Sequence, residues 1–183
     1  MICKMKHFYK EIQNWFNYEK VFDLAIERAK DGSKFVEIGV WKGGSTAYMG
    51  VEIFNSGKKI CYDAIDTFEG SVEHGVVNGL YEEATMNLKP ITDLNLVNII
   101  KGHSIEVSDR YENESIDFCF IDGSHEYEDV KKDILAYLPK VKSGGILAGH
   151  DYDKIWDGVI RAVNEVFESD FEVINGSWIH HKK

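Results

Sequence analysis

The sequence contains no run of about 18 consecutive apolar residues, so nothing in it reads as a helix spanning a bilayer. Its N-terminus, Met-Ile-Cys-Lys-Met-Lys-His, is charged and has no apolar stretch behind it, which does not fit a secretory leader. Basic residues are in deficit: 21 Lys and Arg stand against 31 Asp and Glu, for a formal charge of −10. Nucleic-acid affinity is mostly electrostatic and rests on clustered cations, so neither DNA nor RNA is an expected partner. The one local basic cluster, His180-His181-Lys182-Lys183, reads as a solvated tail as easily as anything functional, and no function is given to it. Cysteine is scarce and odd in number. Of Cys3, Cys61 and Cys119, two lie in apolar, strand-like runs where a free thiol behaves as a small hydrophobe, so a reducing cytoplasm is the expected compartment. Only two prolines occur, Pro90 and Pro139, and there is no internal repeat, low-complexity tract or interdomain linker.

What is present is enough apolar residue for one core. At 183 residues and 44% hydrophobic composition, the chain reads as a single domain, 1–183, with an N-terminal helical segment over 1–32 and a core over 33–183. Val21, Phe22, Ala25, Ile26 and Ala29 recur at helical spacing, and Asp31-Gly32 closes that segment. Strands and helices then alternate: strand 35–39, helix 44–54, strand 60–66, an irregular stretch, helix 80–88, strand 97–101 and a short helix after Ser104. Ile116 to Ile121 is nearly continuous in apolar character, as befits a strand buried on both faces at the sheet centre. An amphipathic helix from Tyr127 to Leu138 stops at Pro139, a strand follows over 145–149, and Trp156 to Phe167 forms the last helix. Phe171 to Ile174 and Ser177 to Ile179, joined by Asn175-Gly176, predict a closing antiparallel hairpin. The expected architecture is a doubly wound α/β sheet, mostly parallel and seven-stranded, with that hairpin at its C-terminal end.

In such a sheet, ligands bind beyond the C-terminal ends of the strands, where strand order reverses. Those ends are unusually polar here: Glu37, Gly39 and Trp41; Asp66; Gly102-His103-Ser104; Asp122; His150-Asp151. Residues 35–45, Phe-Val-Glu-Ile-Gly-Val-Trp-Lys-Gly-Gly-Ser, run from an apolar strand through a glycine turn to a helix, a layout that cradles a nucleoside. Gly39, Gly43 and Gly44 permit the turn, while a carboxylate at Glu37 repels a pyrophosphate and welcomes the ammonium of an amino-acid-bearing cofactor such as S-adenosylmethionine. Asp66 is placed to accept both ribose hydroxyls, the alternative being a loop aspartate that caps a turn. Ser104 is either an adenine contact or the N-cap of the next helix. Asp122-Gly-Ser-His125 sets a charge anchor beside a side chain that titrates near neutrality; a surface or helix-capping histidine is the competing reading.

Together, Glu37-Ile-Gly39-Val-Trp41-Lys-Gly43-Gly-Ser45, Asp66, Asp122-Gly-Ser-His125 and Gly144-Gly-Ile-Leu-Ala-Gly-His150-Asp151-Tyr resemble the class I S-adenosylmethionine-dependent methyltransferases, over about residues 18 to 180. Within that Rossmann-like superfamily the chain is most similar to small metal-dependent O-methyltransferases of the catechol, macrocin and cephalosporin-hydroxylase-like groups. The resemblance implies that Glu37, Gly39, Gly43, Gly44 and Ser45 surround the methionine part of the cofactor, that Trp41 lines it, that Asp66 and Thr67 meet the ribose, and that His103 and Ser104 lie near adenine. It places Asp122 and Asp151 at metal-ligand positions, with His150 beside them, and His125 where the catechol type carries its proton-abstracting lysine. His150 departs from the family, whose metal-dependent members carry an acid there, and magnesium prefers oxygen to imidazole.

The implied chemistry is displacement at a sulfonium methyl group. The leaving group needs no proton, so the enzyme must position the acceptor and make it nucleophilic. Mg2+ or another divalent cation on Asp122, His150 and Asp151 would lower the pKa of a substrate hydroxyl, and His125 would take the proton. The expected substrate is a hydroxyl on a small molecule, a sugar or natural product. Trp15, Phe16 and Tyr18, the stretch Glu69–Asn78, and Tyr152 with Trp156 would cover the cleft. A second copy of the chain, as a homodimer, would complete the pocket. Two rival readings are an adenosyl-cofactor-binding domain without chemistry and a short-chain-dehydrogenase-like oxidoreductase built on Ser115, Tyr127 and Lys131. Ser115 precedes a strand rather than following one, which weighs against the second. Methylation of nucleic-acid nitrogen is disfavoured, because no Asn/Asp-Pro-Pro-aromatic segment exists.

Overall fold

Seven strands form one sheet in the order β3-β2-β1-β4-β5-β7-β6. The computed structural model describes residues 4–71 and 77–183. The strands are β1 (Lys34–Ile38), β2 (Cys61–Asp66), β3 (Asn98–Lys101), β4 (Ile116–Ile121), β5 (Val141–Gly149), β6 (Glu172–Ile174) and β7 (Ser177–His181). The helices are α1 (Glu19–Arg28), α2 (Gly44–Ser56), α3 (Leu80–Thr92), α4 (Ser104–Ser108), α5 (Tyr127–Tyr137) and α6 (Asp157–Phe167), preceded by a 3-10 turn at Tyr9–Glu11. Strands β1 to β5 are mutually parallel, and β7 runs antiparallel between β5 and β6. The doubly wound sheet and the terminal hairpin expected from the sequence are both observed, with β4 at the centre. Asn175 and Gly176 both take positive φ, 50° and 78°, the combination that a two-residue turn matched to strand twist requires.

Alternation along the central strands divides the core into two layers. Phe35, Phe118, Phe120, Ile146 and Ala148 pack on the side of α1, α2 and α3. Val36, Ile38, Cys119, Ile121 and Leu147 face α5 and α6. These central strands are thus covered on both faces, which is why β4 reads as a nearly continuous apolar run.

Three elements differ from the sequence expectation. The last strand continues beyond Ile179 to His181, pairing His180 and His181 with β5 and burying His180, so these two residues are part of the sheet and not a solvated tail. The third helix runs on past Pro90 to Thr92, because Leu88 and Ile91 are both fully buried and their packing holds the last turn despite the missing amide. The fifth strand starts at Val141 rather than 145, and its register on β4 breaks between Ile116, opposite Val141, and Phe118, opposite Ile146. The intervening residues of β5 form a bulge whose Gly-Gly composition had read as a loop.

Candidate functional site

Sheet order reverses between β1 and β4, and their C-terminal ends meet with almost no space between them. Gly39 has φ +90°, and a Cβ built on it would stand 1.9 Å from the carbonyl oxygen of Asp122. The Asp122 amide in turn donates to Ile38 O at 2.7 Å. Glycine is therefore required at 39 by the protein's own backbone as well as by any ligand that approaches the turn.

Beneath the turn lies Glu37, 1% exposed. Ser45 Oγ donates to its Oε1 at 2.5 Å, Thr46 Oγ1 to its Oε2 at 2.6 Å, and the Tyr62 hydroxyl also donates to Oε2. Burial pushes the carboxyl up to about 7, against the three hydroxyl hydrogen bonds that favour its charged form. Both oxygens of Glu37, expected to meet the cofactor ammonium, are buried and engaged, and they pin α2 to β1. Ser45 serves the same network.

Asp66 closes the turn from β2. Its Oδ2 accepts from the amides of Val40 (2.7 Å) and Trp41 (2.8 Å), and its Oδ1 accepts from Phe68 N at 2.7 Å. The turn-capping alternative is thus realised, in a form that also fixes the cradle. Thr67 Oγ1 accepts from the Glu69 amide at 3.3 Å. Trp41 and Phe68 hold positive φ, 51° and 56°, a conformation that large side chains rarely adopt and that clusters at functional sites. His103 occupies the cap position of α4 without a side-chain cap, and the Ser104 hydroxyl donates to Asp133 on α5, so Ser104 is not the N-cap. Burial pushes Asp133 up to about 6, with the Ser104 hydrogen bond opposing it.

The ends of β4 and β5 bring four predicted residues together. His125 Nε2 lies 2.8 Å from Asp151 Oδ2. His150 Nδ1 lies 3.2 Å from Asp151 Oδ1 and 3.8 Å from Asp122 Oδ1, while its Nε2 meets Asn17 Oδ1 at 2.9 Å. Burial raises the pKa of Asp122, and the positive charge of His150 works against it. Burial would raise Asp151 as well, but hydrogen bonds from His125 and His150 outweigh it and hold the carboxyl well below its ordinary range. Asp151 also carries positive φ, 59°. Among the described residues, the group able to converge on a cation is Asp122, His125 and Asp151, whose donor atoms lie within 4.8 Å of one another. The expected set was Asp122, His150 and Asp151; His150 stands beside the group, its Nδ1 toward both carboxylates and its Nε2 toward Asn17. Two carboxylates and an imidazole fit a divalent cation, and the imidazole favours a transition metal over magnesium.

Sequence reasoning placed Tyr18 only as part of a cover. Its hydroxyl donates to Asp122 Oδ2 at 2.6 Å, and burial, followed by the charge of Asp122, holds the phenol well above its usual range. Trp156 stacks on His125 with centroids 3.8 Å apart. Trp15 lies against Trp41 at 5.7 Å, and Lys42 Nζ donates to Gln13 Oε1 at 2.8 Å. Residues 13–18 therefore cross the site from the glycine turn to Asp122. Part of the other expected cover, residues 72–76 within Glu69–Asn78, lies outside the described residues. Tyr127 and Lys131 belong elsewhere, bound to Glu165 in a network between α5 and α6.

Residues 36–152 match the family model described as a methyltransferase domain. A curated protein of Sulfurisphaera tokodaii named "Probable cobalt-precorrin-6B C(15)-methyltransferase (decarboxylating)" is 31% identical over 129 residues, which cover 69% of this chain and 58% of that protein. The chain thus spans little more than half the length of this relative. The O-methyltransferase NovP superposes with a TM-score of 0.65 at 18% identity, covering 90% of this chain and 78% of NovP. CalS11, a calicheamicin methyltransferase, gives 0.65 at 17% identity over 89% and 76% of the two chains. At such identities the likeness carries the fold. Among the described residues, no helix is long and apolar enough to cross a membrane.

Proposed function

Since the chain belongs to the family of methyltransferase domains, whose cofactor is S-adenosylmethionine, we propose that it methylates a hydroxyl group on a small molecule, a sugar or natural product, with help from a divalent cation. The observation that carries this reading is the convergence of Asp122, His125 and Asp151 at the ends of β4 and β5, beside the glycine turn. The cofactor supplies an electrophilic methyl group, and a cation held by Asp122 and Asp151 would supply charge that acidifies a hydroxyl. Gly39, Trp41, Gly43, Gly44 and Asp66 form the wall that receives the adenosyl and methionine parts, with His103 and Ser104 toward the base. Glu37 and Ser45 keep that wall in shape. Asp151 fixes the ring of His125 through Nε2, and His125 takes the proton of the substrate hydroxyl, whose oxygen gains the methyl group as the sulfonium S–CH3 bond breaks and the neutral thioether leaves. Trp156 restrains the other face of the ring. Oxygen as the acceptor atom rests on the likeness to NovP, whereas the curated relative is named for methylation at carbon.

A second role for His125, as a cation ligand, is favoured by its place in the convergent group. Calorimetric titration of S-adenosylhomocysteine with NAD as control, repeated with Mg2+ and Mn2+, tests the cofactor class first. Binding of the adenosyl ligand without NAD binding is expected, and NAD binding alone would return attention to an oxidoreductase. His125→Gln then separates the roles. Lost turnover of hydroxylated acceptors with Mn2+ affinity kept makes it the base. Loss of both makes it a ligand, and unchanged turnover removes it from the mechanism.

A further inference from the structure

Residues 12–18, Ile-Gln-Asn-Trp-Phe-Asn-Tyr, carry no charge in a chain that is 28% charged, and all but Ile12 are amides or aromatics. The segment passes the site between the 3-10 turn and α1, and its exposure alternates. Gln13, Trp15 and Asn17 are exposed, whereas Ile12 and Tyr18 are buried and Asn14 and Phe16 partly so. The inner row holds the backbone in place. Asn14 Nδ2 donates to Tyr9 O at 2.8 Å and to Ile12 O at 2.6 Å, and its Oδ1 accepts from Phe16 N at 3.0 Å. A Cβ on Gly44 would stand 2.4 Å from the Cβ of Asn14, so the segment lies directly on the start of α2. Phe16 meets Tyr9 and Tyr18 edge-on, at 5.3 and 4.6 Å between centroids, and the Tyr18 hydroxyl reaches Asp122.

Each member of the outer row touches the glycine turn or the acid-histidine group. Gln13 Oε1 accepts from Lys42 Nζ at 2.8 Å, Trp15 lies 5.7 Å from Trp41 at a tilt of 40°, and Asn17 Oδ1 meets His150 Nε2 at 2.9 Å. In both amides the oxygen is engaged, which orients the group, and among the described residues no acceptor takes either NH2. Between them the indole of Trp15 keeps 61% of its residue surface exposed. The cation that touches this row, Lys42, also pairs with Glu83 Oε1 at 3.0 Å, and the acids beyond the row, Asp122 and Asp151, would repel an anion. Resting on the methyl-transfer reading above, we propose that Gln13, Trp15 and Asn17 select the acceptor, and that it is a neutral ring with an apolar face and oxygens at its edge, not one borne on a phosphate or carboxylate. The ring lies on the indole, and the two amide NH2 groups donate to its oxygens. A sugar and a phenol share that chemistry.

The test is transfer of a tritiated methyl group from S-adenosylmethionine by the full chain, with Mg2+ present. The acceptors are the methyl glycosides of glucose, galactose, mannose and rhamnose, with uridine diphosphate glucose as their charged counterpart, and catechol, with 3,4-dihydroxybenzoate as its own. Transfer to glycosides makes the ring a sugar, transfer to catechol makes it a phenol, and either should exceed its charged counterpart at least about tenfold in kcat/KM. Trp15→Ala should raise KM about tenfold and Gln13→Ala about fivefold, with kcat and S-adenosylhomocysteine affinity within about twofold of wild type. A preference for the charged counterparts would overturn the proposal, as would an unchanged KM in both variants or a fall confined to kcat. Binding of S-adenosylhomocysteine without transfer to any neutral acceptor would overturn this proposal alone, whereas absence of that binding would overturn the methyl-transfer reading with it.

Discussion

Replacing Glu37 by Gln should alter how stability depends on pH more than it alters stability at any one pH. Burial raises this carboxyl from 4.5 to about 7 in the folded protein. Below the lower value it is protonated in both states. Between the two values the folded protein keeps a proton that the unfolded chain releases, so stability falls as pH rises, and above the upper value the loss is complete. At about 1.4 kcal/mol per unit, the interval amounts to about 3 kcal/mol. A glutamine there cannot ionise and lacks this loss, although it exchanges three hydroxyl-to-carboxylate bonds for weaker neutral ones. Asp133 and His150 titrate in both proteins and largely cancel in the difference, whereas the charge of Asp122 helps to raise Glu37 and belongs to the same effect. Urea denaturation of wild type and E37Q between about pH 4.5 and pH 8 measures that difference directly. It should move by about 3 kcal/mol in favour of the variant as pH rises. Parallel stability curves would mean that Glu37 ionises freely in the folded protein, and the reading of its burial would be wrong.

Gly39→Ala should cost about 3 kcal/mol or more, since the new methyl group would meet the Asp122 carbonyl at 1.9 Å in a positive-φ conformation; a urea midpoint close to wild type would refute this. Tyr18→Phe keeps the stacking on Phe120, 4.6 Å between centroids, and removes the donor to Asp122, so a loss of about 1–3 kcal/mol is expected, and an unchanged melting temperature would show that the bond contributes nothing.

Much of this molecule was legible because its strands are short, apolar and buried on two faces, so local pattern and tertiary role agree. Strands 1 to 4 fall within about one residue of their expected limits, and the acids at the strand ends follow from topology. What escaped depends on contacts distant in sequence. Nothing near Tyr18 signals that its hydroxyl reaches Asp122, 104 residues away. The Ser104 to Asp133 bond joins two helices that look independent in sequence. Glu37 was visible as an acid in an apolar strand, but that three hydroxyls from α2 and β2 would consume its oxygens required knowing how the two elements face each other. Chain-local rules also misjudged Pro90 and Gly144-Gly145, where burial and a strand bulge overrode them.

These satisfied acids constrain how the site can work. Asp66 is held by three backbone amides, Asp122 by a tyrosine hydroxyl, and Asp151 by two histidines. A ligand arriving here exchanges hydrogen bonds rather than creating them, so its affinity reflects only the difference between the new partners and the old. The old partners still matter, because they hold each carboxylate oriented and prevent the loss of stability that an unpaired buried charge would bring. It follows that a substitution at Tyr18 or Asn17 alters the resting state of the site, whereas one at Asp122 or Asp151 alters both states. Comparing cofactor affinity and unfolding free energy for the same variants separates those effects: Tyr18→Phe should lower stability while leaving affinity equal or higher, and a fall in affinity as large as the fall in stability would show that the hydroxyl is part of the binding surface itself.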